Sequence, residues 1–293
     1  MRKYLDPSIL AQLQGLELKA RLIVEGSISG KHKSPYKGFS VEFAEHKSYF
    51  PGDDLRYIDW KLYAKTDKFF IKQFEEDTNL KTYLLLDVSS SMNFGKDTTN
   101  KLEYGRFLVV ALSYLTLAQR DSVGLLTFNN AIDTYIPPRN EMNHLHYLVD
   151  VLEKTECKGH TGIAHALHYL ANKIRRRGLI IVISDFLDNQ NTVLKNLRYL
   201  HRMKHEVIVL HLLHPDELSL PYHGMIQFSH MEHEQTLTAV PDRIRKNYID
   251  RVTRFISHYE KKCWREGIDY HRIMTDVPLE DTILQFIAKR KRY

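Results

Sequence analysis

The sequence has few cysteines and no long apolar segment, and both shortages limit what the chain can be. Its two cysteines, Cys157 and Cys263, lie far apart in the 293 residues, so we expect reduced thiols and not a disulfide framework. No apolar run approaches the roughly 20 residues that cross a bilayer. The first residues, MRKYLDPSIL, lack the apolar core of a secretory signal. Together these features predict a cytoplasmic protein without a membrane span.

Several motifs that carry chemistry are also missing. The chain contains neither a Gly-x-Ser-x-Gly nucleophile elbow nor a Gly-x-x-x-x-Gly-Lys-Ser/Thr phosphate loop. It has 16 histidines, but the pairs His165/His168 and His211/His214 lack further ligands at zinc spacing. We therefore expect these histidines to be surface residues or core residues with hydrogen-bond partners.

The net charge of +6 and the sequence pI of about 9.0 suit a nucleic-acid or membrane-surface partner in principle. The charges are mostly interleaved, however, and the densest basic runs, 175–177 and 289–292, are short. Such runs are typical of solvated helix ends and chain ends. No helix-turn-helix, zinc finger or aromatic-basic sheet motif is recognisable, so nucleic-acid binding is the least favoured function.

Residues 1–79 predict an extension that packs on the core. Asp6 and Pro7 begin an amphipathic helix over 6–24, and a loop rich in Gly, Ser and Lys follows over 26–37. Two strands are expected, one around 39–43 and one over 69–74.

From Lys81 on, apolar strands alternate with helical patterns, which is typical of a parallel sheet covered on both faces. We predict an α/β fold with a doubly wound, mostly parallel sheet over residues 80–293, with a β excursion near 217–240. One edge strand, Ala131–Ile136, is expected to stop at Pro137 and Pro138. The other expected strands are 83–86, 122–128, 179–184, 207–213 and 270–274, and the expected helices are 102–119, 142–153, 163–176, 192–202, 242–266 and 279–290.

Oxygen-bearing side chains follow the ends of these predicted strands. The strand YLLL ends at Asp87, with Ser89 and Ser91 at alternate positions after it. A second loop, GHTGIAHAL, carries Thr161 before a helix, and a third carries Asp185 after a buried strand. Because ligands of open parallel sheets bind outside the carboxyl ends of the strands, these loops can meet. Two carboxylates and three hydroxyls suit Mg²⁺, Mn²⁺ or Ca²⁺ better than zinc, although each residue alone suits a helix cap.

This three-part pattern resembles the metal-ion-dependent adhesion site of von Willebrand factor A-type domains. The segment before it, which contains PGDDLRYIDW, resembles the bacterial domain-of-unknown-function family 58, whose members place it before an A-type domain. The resemblance covers nearly the whole chain from about Gly30. It implies that Ser89 and Ser91 contact the metal directly, that Asp87 and Asp185 act largely through water, and that Thr161 does either.

The resemblance also implies a function. An acidic side chain of a partner protein would complete the metal coordination, so recognition would need no chemistry on the ligand. It further implies a MoxR-type AAA+ ATPase as the companion, with this chain as an adaptor or co-chaperone.

Within PGDDLRYIDW, a second acidic site is one alternative. The favoured interpretation is structural: a turn at Pro51-Gly52, with ion pairs and caps that fix Trp60 and Tyr57 against the domain. The residues of this possible structural or interaction motif are Asp53, Asp54, Arg56, Asp59 and Trp60.

The main alternative function is a Mg²⁺-dependent phosphohydrolase of the haloacid dehalogenase type. Such an enzyme needs a second aspartate two residues after the nucleophile as acid and base. Here that position is Ser89, which cannot do this work at neutral pH. We therefore predict a non-enzymatic interaction module.

Overall fold

The computed structural model describes residues 41–50, 58–76, 80–96, 99–232 and 235–290. The helix expected over 6–24, the loop after it, and Asp53, Asp54 and Arg56 of the acidic segment lie outside these ranges. The chain forms two compact units, one within residues 30–79 and one that contains residues 80–293.

The smaller unit is built on an antiparallel pair of strands, β1 (Val41–Ser48) and β2 (Phe70–Glu76). The ladder is irregular between Phe43 and Glu45. A short helix, α1 (Trp60–Thr66), lies between the strands in sequence and was not predicted. Asp59 caps it, since its Oδ1 accepts hydrogen bonds from the backbone N–H groups of Lys61 and Leu62 at 3.0 and 3.2 Å.

The larger unit contains a six-stranded sheet with the strand order β10-β7-β6-β3-β4-β5. All neighbours in it are parallel except β4 and β5, so the predicted α/β fold with a mostly parallel sheet is confirmed. A separate hairpin, β8 with β9, lies in the region of the expected β excursion. The strands are β3 (Lys81–Asp87), β4 (Ser122–Phe128), β5 (Ile132–Arg139), β6 (Leu179–Ser184), β7 (Glu206–Leu213), β8 (Ile226–Ser229), β9 (Thr236–Ala239) and β10 (Asp269–Met274).

Helices cover both faces of the sheet, as a doubly wound fold requires. Successive residues of a strand point to opposite faces, so Leu84 and Leu86 join one apolar core while Tyr83 and Leu85 join the other. The first core contains residues of α2 (Lys101–Ala118), α3 (Asn143–Lys154) and α8 (Leu279–Arg290), and the second contains residues of α4 (Ile163–Lys173), α5 (Gln190–Arg202) and α7 (Pro241–Arg265). In the described ranges, no helix is both long and apolar enough to cross a bilayer.

The edge strand β5 differs from the prediction, because it continues through Pro137 and Pro138 to Arg139. Proline has no N–H to donate, but an edge strand needs donors on one side only. The ladder between β4 and β5 is also irregular at this point, because its register shifts between Val123 and Leu125. A Cβ at Gly124 would lie 2.8 Å from the nitrogen of Pro138. Glycine on β4 therefore makes room for the prolines.

Two short elements of the larger unit were also not predicted. A 3-10 turn, Ser90–Asn93, follows β3 directly, and a five-residue helix, α6 (Pro215–Ser219), follows β7. His214 caps α6 in a capping box with Glu217. Histidine is an unusual cap, which explains why the sequence pattern did not reveal this helix.

Candidate functional site

The predicted site residues lie where two central strands end. β3 and β6 are parallel neighbours, with Leu86 paired to Ile183, so Asp87 and Asp185 come out at the same edge of the sheet. From β3 the chain continues to β4 on one side, and from β6 it continues to β7 on the other. A reversal of this kind opens a crevice between the loops, where ligands of α/β proteins bind.

Asp87 is fully buried and fixed by two neutral donors. Its Oδ1 accepts a hydrogen bond from the backbone N–H of Ser89 at 2.9 Å, and its Oδ2 accepts one from the Ser184 hydroxyl at 2.5 Å. Burial and, after it, the charge of Asp185 raise the pKa of Asp87 to about 7, despite these hydrogen bonds. The carboxylate form of Asp87 therefore lacks a compensating positive charge.

The hydroxyls of the first two loops meet beside these carboxylates. Ser89 Oγ lies 3.0 Å from Ser91 Oγ and 3.0 Å from Thr161 Oγ1. The Ser89 hydroxyl also lowers the pKa of Asp87, and the Ser91 hydroxyl lowers that of Asp185. The structure thus brings all five residues predicted from the three loops to one buried point.

The Thr161 loop is fixed to the Asp87 loop by its backbone. The Ser90 N–H donates to the Gly159 carbonyl at 3.0 Å, and the Lys158 N–H donates to the Val88 carbonyl at 2.9 Å. Gly162 approaches a third segment so closely that a Cβ there would lie 2.4 Å from the carbonyl oxygen of Asn129. The position of Thr161 therefore depends on a glycine that follows it directly.

Asp185 is held at the start of a strained turn. Phe186, the next residue, is fully buried and has a φ of 58°, a conformation that a bulky residue rarely adopts. Its N–H donates to Ser184 Oγ at 2.9 Å, and its ring lies against Tyr259, with ring centroids 5.3 Å apart. Packing of the ring offsets the backbone strain and fixes the direction in which Asp185 leaves the strand.

A buried lysine that the sequence analysis did not identify contacts Asp185. Lys101 is the first residue of α2, and its fully buried ammonium donates to Asp185 Oδ2 at 2.8 Å and to Glu217 Oε1 at 2.6 Å. It also lies 5.7 Å from the centre of the Phe94 ring. Burial alone would raise the pKa of Asp185, but Lys101 holds it below its usual value. Lys101 therefore favours the ionised form of Asp185, a support that Asp87 lacks.

A glutamate of the β8–β9 hairpin also reaches the site and was not predicted. Glu232 Oε1 accepts a hydrogen bond from Thr161 Oγ1 at 2.7 Å, and the Glu232 side chain is 9% exposed. Lys101, Glu217 and Glu232 are distant from the three loops in sequence, and no local pattern marks them. Ser184 was also not predicted, but its position does mark it, because it directly precedes Asp185 at a strand end.

The chemistry of this oxygen set fits a hard divalent cation. The single proton of the Thr161 hydroxyl has two acceptors, Ser89 Oγ at 3.0 Å and Glu232 Oε1 at 2.7 Å, and Ser89 Oγ also lies 3.0 Å from Ser91 Oγ. Lone pairs therefore face one another at the centre of the site. Oxygen ligands about 2.1 Å from Mg²⁺ in an octahedron lie roughly 3.0 Å apart, as these hydroxyls do. In the part of the chain that the structure describes, no three His, Cys, Asp or Glu side chains form a metal-binding group, so a cation here needs the hydroxyls.

Outside this site, Asp59 and Trp60 are the described residues of the acidic segment. Asp59 has the capping role described above. Trp60 is 63% exposed and contacts Tyr63 edge to face, with ring centroids 6.2 Å apart. The helix cap orders the backbone here without burying the indole.

The histidine pairs occupy ordinary surroundings. His165 and His168 are exposed on α4. His211 is buried, with its Nδ1 2.6 Å from the Tyr270 hydroxyl, and burial lowers its pKa to about 4. His214 caps α6, and its Nδ1 accepts a hydrogen bond from the Asp216 N–H at 3.1 Å.

Comparison with known proteins gives a family match and distant relatives. A family model described as "Protein of unknown function DUF58" matches residues 45–256. Uncharacterized proteins of Mycobacterium bovis and Mycobacterium tuberculosis are each 27% identical to this chain, over 98% of it and 91% of their own length.

Two solved structures are similar at lower identity. The conserved hypothetical protein BatB from Bacteroides thetaiotaomicron is 16% identical, with a TM-score of 0.48 over 73% of this chain and 100% of that one. The SpRpn10 VWA domain is 12% identical, with a TM-score of 0.43 over 71% of this chain and 95% of that one. The α/β fold itself follows from the strand order of the six-stranded sheet.

Proposed function

The chain belongs to the DUF58 family, and from this premise we propose that it is a non-enzymatic protein-binding module that depends on a divalent cation. The cation is Mg²⁺, with Mn²⁺ or Ca²⁺ as alternatives. Its ligands, direct or through water, are Asp87, Ser89, Ser91, Thr161 and Asp185.

One observation carries the proposal: three loops from separate parts of the chain bring oxygen atoms, and few protons, to one buried point. Helix caps and strand ends explain each residue singly. They do not explain why Thr161 lies 3.0 Å from Ser89, which is 72 residues away in sequence. A shared cation does explain it, because hydroxyl oxygens add coordination without adding charge.

The charges near the site also support this proposal. Lys101 and Glu217 offset each other, which leaves Asp87 and Asp185 to balance a dication. A bound dication supplies positive charge at this edge of the sheet, and an acidic side chain of a protein partner is its natural counterpart. The residues of this chain would hold the cation, directly or through water, at this edge of the sheet.

Two further parts of the proposal come from the family resemblance and the cysteines. The resemblance makes the partner a MoxR-type AAA+ ATPase, with this chain as an adaptor or co-chaperone. Cys157 and Cys263 are both free, and burial raises the pKa of each thiol to about 12. Unpaired, unreactive thiols suit a cytoplasmic protein.

A phosphohydrolase is the alternative from a different functional class. It would require a general acid beside Asp87, and the hydroxyl of Ser89 occupies that position. Lys101 is no substitute, because its contacts with Asp185 and Glu217 raise the pKa of its ammonium although burial opposes this, so it keeps its proton at neutral pH.

Thermal unfolding with and without Mg²⁺ tests the proposal. At free Mg²⁺ about 100 times the Kd, the melting temperature of the wild type should rise by on the order of 5 °C. Asp87→Ala should abolish this rise, whereas Asp250→Ala, on the exposed surface of α7, should keep it. A wild type without a rise contradicts the proposal. Phosphatase or ATPase turnover that is lost in Asp87→Asn would favour the enzyme instead.

A further inference from the structure

Glu232 is the one described acidic side chain that touches the hydroxyl cluster from outside the three loops. It lies in the connection between β8 and β9, 71 residues from Thr161 in sequence, and its Oε1 is 2.7 Å from Thr161 Oγ1. A carboxylate accepts but does not donate, so the Thr161 proton points to Glu232. The Thr161 lone pairs are then free to face Ser89 and the centre of the site.

This contact places a carboxylate where the proposed function requires one from a partner. Of the three hydroxyl residues, Ser89 and Ser91 are buried and Thr161 is half-buried, so an acidic side chain of a partner would reach the cation from the side of the Thr161 loop. Glu232 already lies there, within the distance that separates neighbouring oxygen ligands of one Mg²⁺, about 3.0 Å. The Glu232 side chain is also only 9% exposed, so its carboxylate is turned into the protein and not toward solvent.

We propose that Glu232 is an internal ligand of the metal site and occupies the position of the partner's carboxylate until a partner displaces it. The inference rests on the proposed function and adds its regulation. No new chemistry is involved, since one carboxylate is exchanged for another at the same cation.

The hairpin that carries Glu232 is suited to such an exchange. Its strands are short, and Met231 and Leu237 are 40% and 63% exposed, whereas Ile226 and Phe228 are half-buried. When such an element moves, it exposes little additional apolar surface to water, so displacement costs little free energy. Near the glutamate, His230 Nδ1 accepts a hydrogen bond from the Glu232 N–H at 3.0 Å, and His160 Nδ1 lies 3.9 Å from Glu232 Oε2.

An internal carboxylate would also set the selectivity of the site. A tethered group competes at an effective concentration on the order of millimolar. A free acidic side chain in the cell therefore fails to displace Glu232, whereas a partner that adds contacts elsewhere succeeds. The tether thus reserves the cation for a specific partner.

Mn²⁺ titration of the full chain tests this inference, with free Mn²⁺ followed by electron paramagnetic resonance and bound water by proton relaxation. Glu232→Gln should bind Mn²⁺ about tenfold more weakly and should show higher relaxivity of the bound ion, because water replaces the lost carboxylate. Glu232→Asp keeps the charge but shortens the side chain, so it should show the same rise in relaxivity. Glu260→Gln removes an equal charge from the exposed surface of α7 and should match the wild type.

The outcomes separate the two proposals. If the wild type binds Mn²⁺ and Glu232→Gln matches it in affinity and relaxivity, the internal ligand is wrong while the metal site stands. If Glu232→Gln binds Mn²⁺ more weakly but neither Glu232→Gln nor Glu232→Asp changes the relaxivity, the lost charge alone explains the weaker binding. The proposal of an internal ligand is then also wrong. If the wild type does not bind Mn²⁺, the proposed function fails, and the inference fails with it.

Discussion

Asp87 and Asp185 are both buried carboxylates at neighbouring strand ends, but their surroundings shift the pKa values of the two carboxyls in opposite directions. Asp185 accepts a hydrogen bond from the ammonium of Lys101 at 2.8 Å, which lowers the pKa of its carboxyl although burial opposes this. Asp87 accepts only from a backbone N–H and a hydroxyl, and its pKa rises to about 7 because of burial and the charge of Asp185. Lys101 therefore stabilises the ionised form of Asp185, and a bound cation would stabilise the ionised form of Asp87.

Replacement of Lys101 should show how much the larger unit depends on this ion pair. Lys101→Met leaves the buried Asp185 and the partly buried Glu217 without their ammonium. We expect the free energy of unfolding in urea to fall by about 3–5 kcal/mol, the usual cost of breaking a buried pair from one side. Lys195→Met, on the exposed face of α5, should change it by less than about 0.5 kcal/mol. Equal stability of the two variants would contradict this role of Lys101.

At the residue scale, the sequence predicted the site residues that a local pattern marks and missed those that only long-range packing brings to the site. Asp87, Ser89, Ser91 and Asp185 follow directly from strand ends, because a buried apolar run that stops at a polar residue marks the edge of a sheet. Lys101 and Glu232 carry no such mark. Their roles depend on which helix and which hairpin lie across the crevice, and this long-range packing has no signature in local spacing.

Among the elements, the loop from Lys158 to Gly162 fits closely against its neighbours at the site. Its backbone pairs with the Asp87 loop through Ser90 and Val88. Gly162 lies against the backbone of Asn129, where any side chain would displace the loop. The element that presents Thr161 is therefore fixed by close backbone approach and not by side-chain packing.

Substitution of this glycine should affect stability and metal response together. In Gly162→Ala, the new Cβ would lie 2.4 Å from the Asn129 carbonyl oxygen, so the loop must shift. We expect a loss of about 1–3 kcal/mol in the free energy of unfolding, together with a smaller Mg²⁺-dependent rise in melting temperature.

Gly224→Ala is the matched control for this loop. Gly224 has a φ of +77°, and a Cβ at this position would have no heavy atom within 4 Å. Alanine there therefore meets backbone strain of about 1–2 kcal/mol but no steric contact. It should keep the full Mg²⁺ response. A full response in Gly162→Ala would show that the fit of this loop does not position Thr161.

The elements that the sequence predicted well are those with strong apolar patterns. β4, β6 and α8 have the predicted bounds, because buried strands and a helix with a regular apolar face leave little choice of structure. β5 was predicted too short, since the effect of two prolines depends on the edge position and on Gly124 of the neighbouring strand. The short helices α1 and α6 have too few residues for a periodic pattern to show.

For the whole molecule, the net charge of +6 contrasts with the carboxylates gathered at the site. Mostly interleaved basic residues favour the approach of an acidic partner through the general field of the protein. Binding at the site then needs the cation, because Asp87, Asp185 and Glu232 would otherwise repel an acidic side chain. The proposed module therefore combines general attraction with a local requirement for metal.

The most direct measurement is the affinity of the purified MoxR-type ATPase of the same organism for the wild-type chain and for Ser89→Ala. Both are measured in one Mg²⁺-containing buffer, because a chelator would also remove the Mg²⁺ that the ATPase needs for its nucleotide. Ser89→Ala removes one buried hydroxyl from the centre of the site, and its fold is checked by its melting temperature without Mg²⁺. We predict binding by the wild type and an affinity at least about tenfold lower for Ser89→Ala. Equal affinities, or no binding by the wild type, would contradict metal-dependent recognition of this partner.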